Sequence, residues 1–156
     1  MPSATTLADH DKRWAESLGS EKCPPILGLA SLSNDESDLL SRLVEEHLKE
    51  LRWRRSESRF TLLIDLLRFR PAVISVWLAR KAGEAYDSGK FWELFETQIG
   101  VPIPVSERPE FAEWFQYSCS RVMSNYVRPS NLGAFKYVET FLFQAGLPLV
   151  RKGHDY

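Results

Sequence analysis

The chain has 156 residues, a net charge of −1, 44% hydrophobic and 26% charged residues, which suits one soluble globular domain and excludes a wholly disordered chain. The longest apolar run, Ala72 to Ala79, falls far short of the roughly 20 residues that a membrane helix needs. The start, Met-Pro-Ser-Ala-Thr-Thr, lacks the basic and apolar regions of a secretory signal, so a cytoplasmic protein without a membrane partner is expected.

Residues 1–32 read as a lead-in segment. Leu7 to Leu18 suits a short helix with Leu7, Trp14 and Leu18 on one side, and Gly19 closes it. Cys23-Pro24-Pro25 then forbids regular helix, because proline removes a backbone donor and moves its predecessor out of the helical region. Irregular backbone is expected up to Ser33, with Ile26, Leu27 and Leu29 packing on the domain. The helical domain proper is placed at 33–149, with a tail at 150–156.

Ser33-Asn34-Asp35-Glu36 has the form of a capping box, in which hydroxyl and carboxylate satisfy each other's orphan amides. Behind it, Leu39, Leu40, Leu43, Val44, His47, Leu48 and Leu51 recur at helical spacing as far as Arg54. Ser56 to Phe69 is apolar almost without interruption, which fits a buried helix or a buried strand; its leucines and Asp65 favour helix. Pro71 suits the first turn of a further helix through Tyr86, and Asp87-Ser88-Gly89 is a turn signal.

Phe91, Trp92, Leu94, Phe95 and Ile99 form a short aromatic helix, with Gly100 as its left-handed terminator. Val101-Pro102-Ile103-Pro104 is an extended connector. Ser106 with Pro109 opens a helix that carries Phe111, Trp114, Phe115 and Met123. After Pro129, Leu132 to Ala145 makes a last helix with Phe135, Val138, Leu142 and Phe143 inward, and Gly146 and Pro148 end it. No stretch alternates with the period of a sheet. The fold class is all-α: one compact domain of about six helices with short proline-marked connectors.

Charge is segregated along the chain. Residues 49–81 hold nine bases and three acids, whereas 1–48 hold nine acids and four bases, and 82–118 hold seven acids and two bases. In the basic stretch Arg outnumbers Lys seven to two, and guanidinium forks bind phosphate or carboxylate bidentately. The candidate binding residues are therefore Arg52, Trp53, Arg54, Arg55, Arg59, Arg68 and Arg70, facing nucleic acid or an acidic protein surface. Trp53 either offers a stacking face to a base or plugs a groove between helices. The flanking acids supply the competing explanation, internal pairing of these arginines with Glu36, Glu45, Glu93, Glu96 and their neighbours. On that explanation only the arginines left over can serve a partner.

No catalytic, metal or cofactor motif accompanies the basic stretch. There is no GxGxxG, P-loop or GxSxG; Glu46-His47 lacks the second His of a zinc HExxH; no ExxH di-iron motif occurs. Glu93/Glu96 and Glu110/Glu113 have the spacing of solvated helix surfaces. His10 and His154 fall in ends expected to be mobile. Cys23 and Cys119 read as buried free thiols, packing as small hydrophobes. An enzyme would have to bring Cys119 or His47 into one cleft. A second non-enzymatic reading is a protein–protein adaptor that docks through exposed aromatics, with Phe91, Trp92, Trp114 and Tyr117 as candidates.

The segments Phe91-Trp92-Glu93-Leu94-Phe95, Ile99-Gly100, Phe111 to Phe115, Phe135-Lys136-Tyr137-Val138 and Gln144-Ala145-Gly146-Leu147-Pro148 share a pattern. Over residues 86–149 the chain resembles the helical N-terminal modules of large bacterial proteins encoded in defence islands and prophage-like loci. The resemblance implies a scaffold or partner-binding segment upstream of effector domains, which would here be missing or encoded separately. It carries over no catalytic residue. The expectation from the sequence is a non-catalytic helical interaction module.

Overall fold

A computed structural model describes residues 6–18, 32–55, 57–85 and 90–122, the side chains of 52–55 excepted. The described residues form six α-helices: α1 (Leu7–Leu18), α2 (Asn34–Arg55), α3 (Arg59–Phe69), α4 (Pro71–Ala85), α5 (Phe91–Ile99) and α6 (Arg108–Val122), with a 3-10 turn at Val105–Glu107. The described residues include no strand. The chain is all-α, as its helical periodicity and proline-marked connectors lead one to expect. The anticipated helix over Leu132 to Ala145 lies outside the described residues, as do Cys23, the Pro24-Pro25 break and His154.

Four helix ends follow local chemistry. The Ser33 hydroxyl accepts from the Glu36 amide at 3.1 Å, and the Ser58 hydroxyl accepts from the Thr61 amide at 3.1 Å, so each side chain satisfies a donor that its helix leaves orphaned. Thr6 does the same for Asp9 at the start of α1. Gly100 ends α5 at φ 74° and donates to the Glu96 carbonyl, a left-handed conformation in which a side chain would be strained. The capping box at Ser33 is only half made. The Glu36 carboxylate turns to α1, where it accepts from Arg13 and from Trp14 Nε1, because a charged donor outcompetes a backbone amide.

α4 is the centre of the structure. Residues 72–79 are all buried, together with Lys81, Ala82 and Ala85, and α4 packs on α1, α2, α3, α5 and α6. A helix that is apolar all round is a core helix, and the sequence 72–79 has no polar residue but Ser75. Val73, Ile74, Val76 and Leu78 each contribute about 1.5–3 kcal/mol by burial. Trp77 is buried with its Nε1–H donated to the Ser41 hydroxyl of α2 at 2.9 Å, as a buried indole requires.

The start of α4 depends on a distant residue. Pro71 occupies the first turn, where its missing N–H costs nothing. Arg70 stands at the cap position, and its guanidinium can only donate. The amides of Ala72 and Val73 instead donate to Asp11 Oδ1 of α1, at 2.9 and 3.1 Å. The same helix inserts Leu7, Trp14 and Leu18 into the core. His10 lies with them, 5% exposed, and so not in a mobile end: it falls one helical turn before Trp14, on the buried face of α1.

A second cluster joins α5 to α6. Phe91, Trp92, Phe95 and Phe111 meet with ring centroids 5.3–6.4 Å apart. In the extended connector Val101 and Ile103 point inward, while Pro102 and Pro104 are exposed. The Ile103 amide donates to Glu96 Oε2 at 2.9 Å, which also receives Arg108.

Replacing Asp11 tests the cap on α4. Asp11→Ala is expected to lower stability by about 1 kcal/mol, and Asp11→Asn by less, since the amide oxygen still accepts. Urea denaturation reads both as a lower midpoint with an unchanged slope.

Candidate interaction surface

The arginines of the basic stretch are divided among different environments. Arg52, Arg54, Arg55 and Trp53 occupy the last turn of α2, and their side chains lie outside the described residues. Arg59, whose side chain is 19% exposed, donates to Glu45 of α2 and, at 3.0 Å, to the Gly100 carbonyl, so it ties α3 to α2 and to the end of α5. Arg80 reaches Glu84 at 2.9 Å, the Leu32 carbonyl and Asn34. Lys81, nearly buried, pairs with Glu84 at 3.4 Å. Arg59 and Lys81 thus act within the fold, alongside Arg80. Of the acids expected to quench the basic stretch, Glu45 does so, whereas Glu36 pairs with Arg13 and Glu96 with Arg108.

Arg68 has a different role. Nine residues separate it from Arg59, which on a helix is roughly 13 Å of rise and half a turn, so the two point to opposite sides of α3. The Arg68 side chain is 50% exposed, lies 3.8 Å from Asp65 Oδ1, and sits over the Trp114 ring of α6 at 5.4 Å. Arg121, one turn beyond Tyr117, sits over that ring at 5.6 Å and donates to the Arg68 carbonyl at 3.0 Å. Arg70, half-buried, donates to the Phe69 carbonyl.

Arg68 and Arg121 border a groove of about 850 Å³ between the end of α3 and the outer face of α6. Arg68 and Phe69 form one wall; Trp114, Tyr117, Ser120 and Arg121 form the other, and Glu113 and Gln116 complete the lining. Phe69 is 68% and Tyr117 54% exposed, among the few large hydrophobic side chains that the described residues leave in solvent. Trp114 and Tyr117 meet edge to face at 5.8 Å. The groove is therefore both aromatic and cationic.

The four aromatics considered for docking part company here. Trp114 and Tyr117 face the groove. Phe91 and Trp92 are half-buried in the α5–α6 cluster, with Arg108 over the Trp92 ring at 4.8 Å. Phe69 and Arg121 were not singled out from the sequence. Phe69 ends a largely apolar run interrupted by Thr61, Asp65 and Arg68, and nothing in that run marks it as exposed. Arg121 shows only as the i+4 neighbour of Tyr117.

Cys119 and His47 have separate surroundings. Cys119 is wholly buried on α6, and burial pushes its thiol well above the ordinary range, which suppresses the thiolate that nucleophilic chemistry needs. His47 is half-buried on α2; burial lowers its pKa, Glu50 opposes this, and the Arg70 charge lowers it further. Among the described residues no group of three or more His, Cys, Asp or Glu is placed to hold a metal ion, and no helix is long and apolar enough to cross a membrane. No family model, curated protein or solved structure matches the chain.

The His47 environment has a pH consequence. Its pKa is lower folded than unfolded, so the unfolded chain takes up the proton first, near the ordinary value of about 6.5. The stability it contributes is present above that value and is lost as pH falls through the folded pKa. Denaturation midpoints should therefore fall between about pH 7.5 and 5.5, and less so in His47→Gln.

Proposed function

We propose that this domain is a non-catalytic, cytoplasmic interaction module that docks a protein partner on the α3–α6 groove. The observation that carries the reading is the pair of solvent-exposed aromatics, Phe69 and Tyr117, flanking a groove beside two arginines held over aromatic rings. Exposed aromatic and Arg side chains are the residue types that dominate binding energy at protein interfaces. Rings already packed edge to face, and guanidinia already laid on them, have less side-chain freedom to lose on binding.

Nucleic acid is the second reading, and the same arginines support it less well. Binding to a phosphate backbone grows with the number of phosphates neutralised, and Arg59, Arg80 and Lys81 are engaged inside the fold. Glu113 adds a negative charge to the groove lining. In line with the resemblance to defence-island proteins, we place the module as a scaffold that recruits a partner to a bacterial defence or mobile-element system.

An anionic aromatic dye, anilinonaphthalene sulfonate, probes the groove directly. The folded full chain should bind it saturably, and Phe69→Ser with Tyr117→Ser should weaken binding by about tenfold or more while leaving the circular-dichroism melt in place. A parallel titration uses a short single-stranded oligonucleotide and a short duplex at two salt concentrations. Tight, steeply salt-dependent binding that survives the double substitution would favour the nucleic-acid reading and contradict the protein-docking one.

A further inference from the structure

We infer that the α3–α6 groove selects an acidic amphipathic peptide segment, receiving a carboxylate beside Arg68 and Arg121 and an apolar side chain between Phe69 and Tyr117; this rests on the reading of the groove as a docking surface. Charge complementarity carries the choice of occupant. Arg121 donates to the backbone carbonyl of Arg68 at 3.0 Å, which brings two cationic residues from different helices to the same end of the groove. Two like charges brought together are relieved by an anion, and because Glu113 also lines the groove the site suits a single carboxylate of a peptide better than a run of phosphates.

Arg68 faces Asp65 of its own helix at 3.8 Å. That exceeds the roughly 2.7–2.9 Å of a charge-assisted hydrogen bond, so this pair leaves the Arg68 fork capable of taking a closer carboxylate. Each guanidinium has five N–H donors; the contact of Arg121 with the Arg68 carbonyl uses one nitrogen. Both guanidinia lie over rings, Arg68 over Trp114 and Arg121 over Tyr117, which holds them in place for bidentate recognition.

The apolar half of the site is formed by Phe69 and Tyr117. Phe69 projects from the last residue of α3 and is 68% exposed, so an apolar side chain placed against it removes ring surface from water on both sides. A groove of about 850 Å³ lies in the size range that holds compact ligands. It is suited to a few side chains of one short segment, as when an amphipathic helix lays its apolar face into a groove.

Fluorescence anisotropy on the full chain tests this with four labelled probes. They are an amphipathic peptide with leucines on one face and glutamates flanking it, its twin with every glutamate replaced by lysine, a peptide of residues 130–147, and a short oligonucleotide. The glutamate peptide should bind, its lysine twin should bind about tenfold more weakly or worse, and Arg121→Glu should erase or invert that order. Arg121→Gln should weaken the glutamate peptide without inversion, and circular dichroism checks that both variants fold.

Equal binding of the two twins, lost in Tyr117→Ala, would overturn the acidic selection while keeping the docking surface. Absence of binding by both twins would overturn the selection; if the dye also ignores Phe69 and Tyr117, the docking surface falls with it. Preferential binding of the 130–147 peptide would make the chain's own segment the occupant, and preferential binding of the oligonucleotide would make it nucleic acid; either overturns the proposal.

Discussion

The structure depends on the burial of α4 and on the acceptor that α1 supplies to its first turn. A helix buried on every side must settle its free amides internally, since water does not reach them. The Arg70-Pro71 junction cannot do so, because arginine offers no acceptor. Asp11 fills that gap from 61 positions away, and with it come Leu7, Trp14 and Leu18 of α1. One carboxylate thus couples a helix start to the docking of an N-terminal helix. The lead-in segment inferred from the sequence contributes directly to the core.

The groove follows from the same corner. α3 and α4 are joined through Arg70 alone, and the chain must turn there because Pro71 starts a helix whose whole circumference is already surrounded. α3 therefore ends with its inner face committed, Leu62, Leu63, Leu66 and Leu67 being buried, and with Phe69 projecting past the packed layer. α6 crosses beside it, burying Phe111, Phe115 and Cys119 and leaving Trp114, Tyr117 and Arg121 on the other side. What remains between the two helices is aromatic because the inner faces take the other apolar side chains, and cationic because Arg68 and Arg121 lie over the Trp114 and Tyr117 rings.

Much of the fold was legible in the sequence because its signals are local. Ser33, Pro71 and Gly100 mark helix ends by their own side-chain chemistry, and the leucine spacing behind Ser33 defines α2 without reference to anything else. The functional surface was less legible because its determinants lie in space. Arg59 and Arg68 look alike in the chain, yet one is held by Glu45 and Gly100 and the other lies on Trp114. Glu36 has the spacing of a capping box, but Arg13 and Trp14 take its carboxylate. Residues 60–69 have no single polar face, so the exposure of Phe69 is invisible until α4 turns away. Clustered charge in a sequence therefore overstated the free basic surface: part of it is the glue between helices.

Native-state hydrogen exchange tests the central role of α4 most directly. If α4 is the element on which the others depend, the amides of Val76 to Ala82 should be the slowest in the protein. Their exchange free energy should equal that of global unfolding by denaturant, and Asp11→Ala should lower both together. Exchange of those amides through a lower-energy opening, with α2 or α6 still protected, would contradict the account.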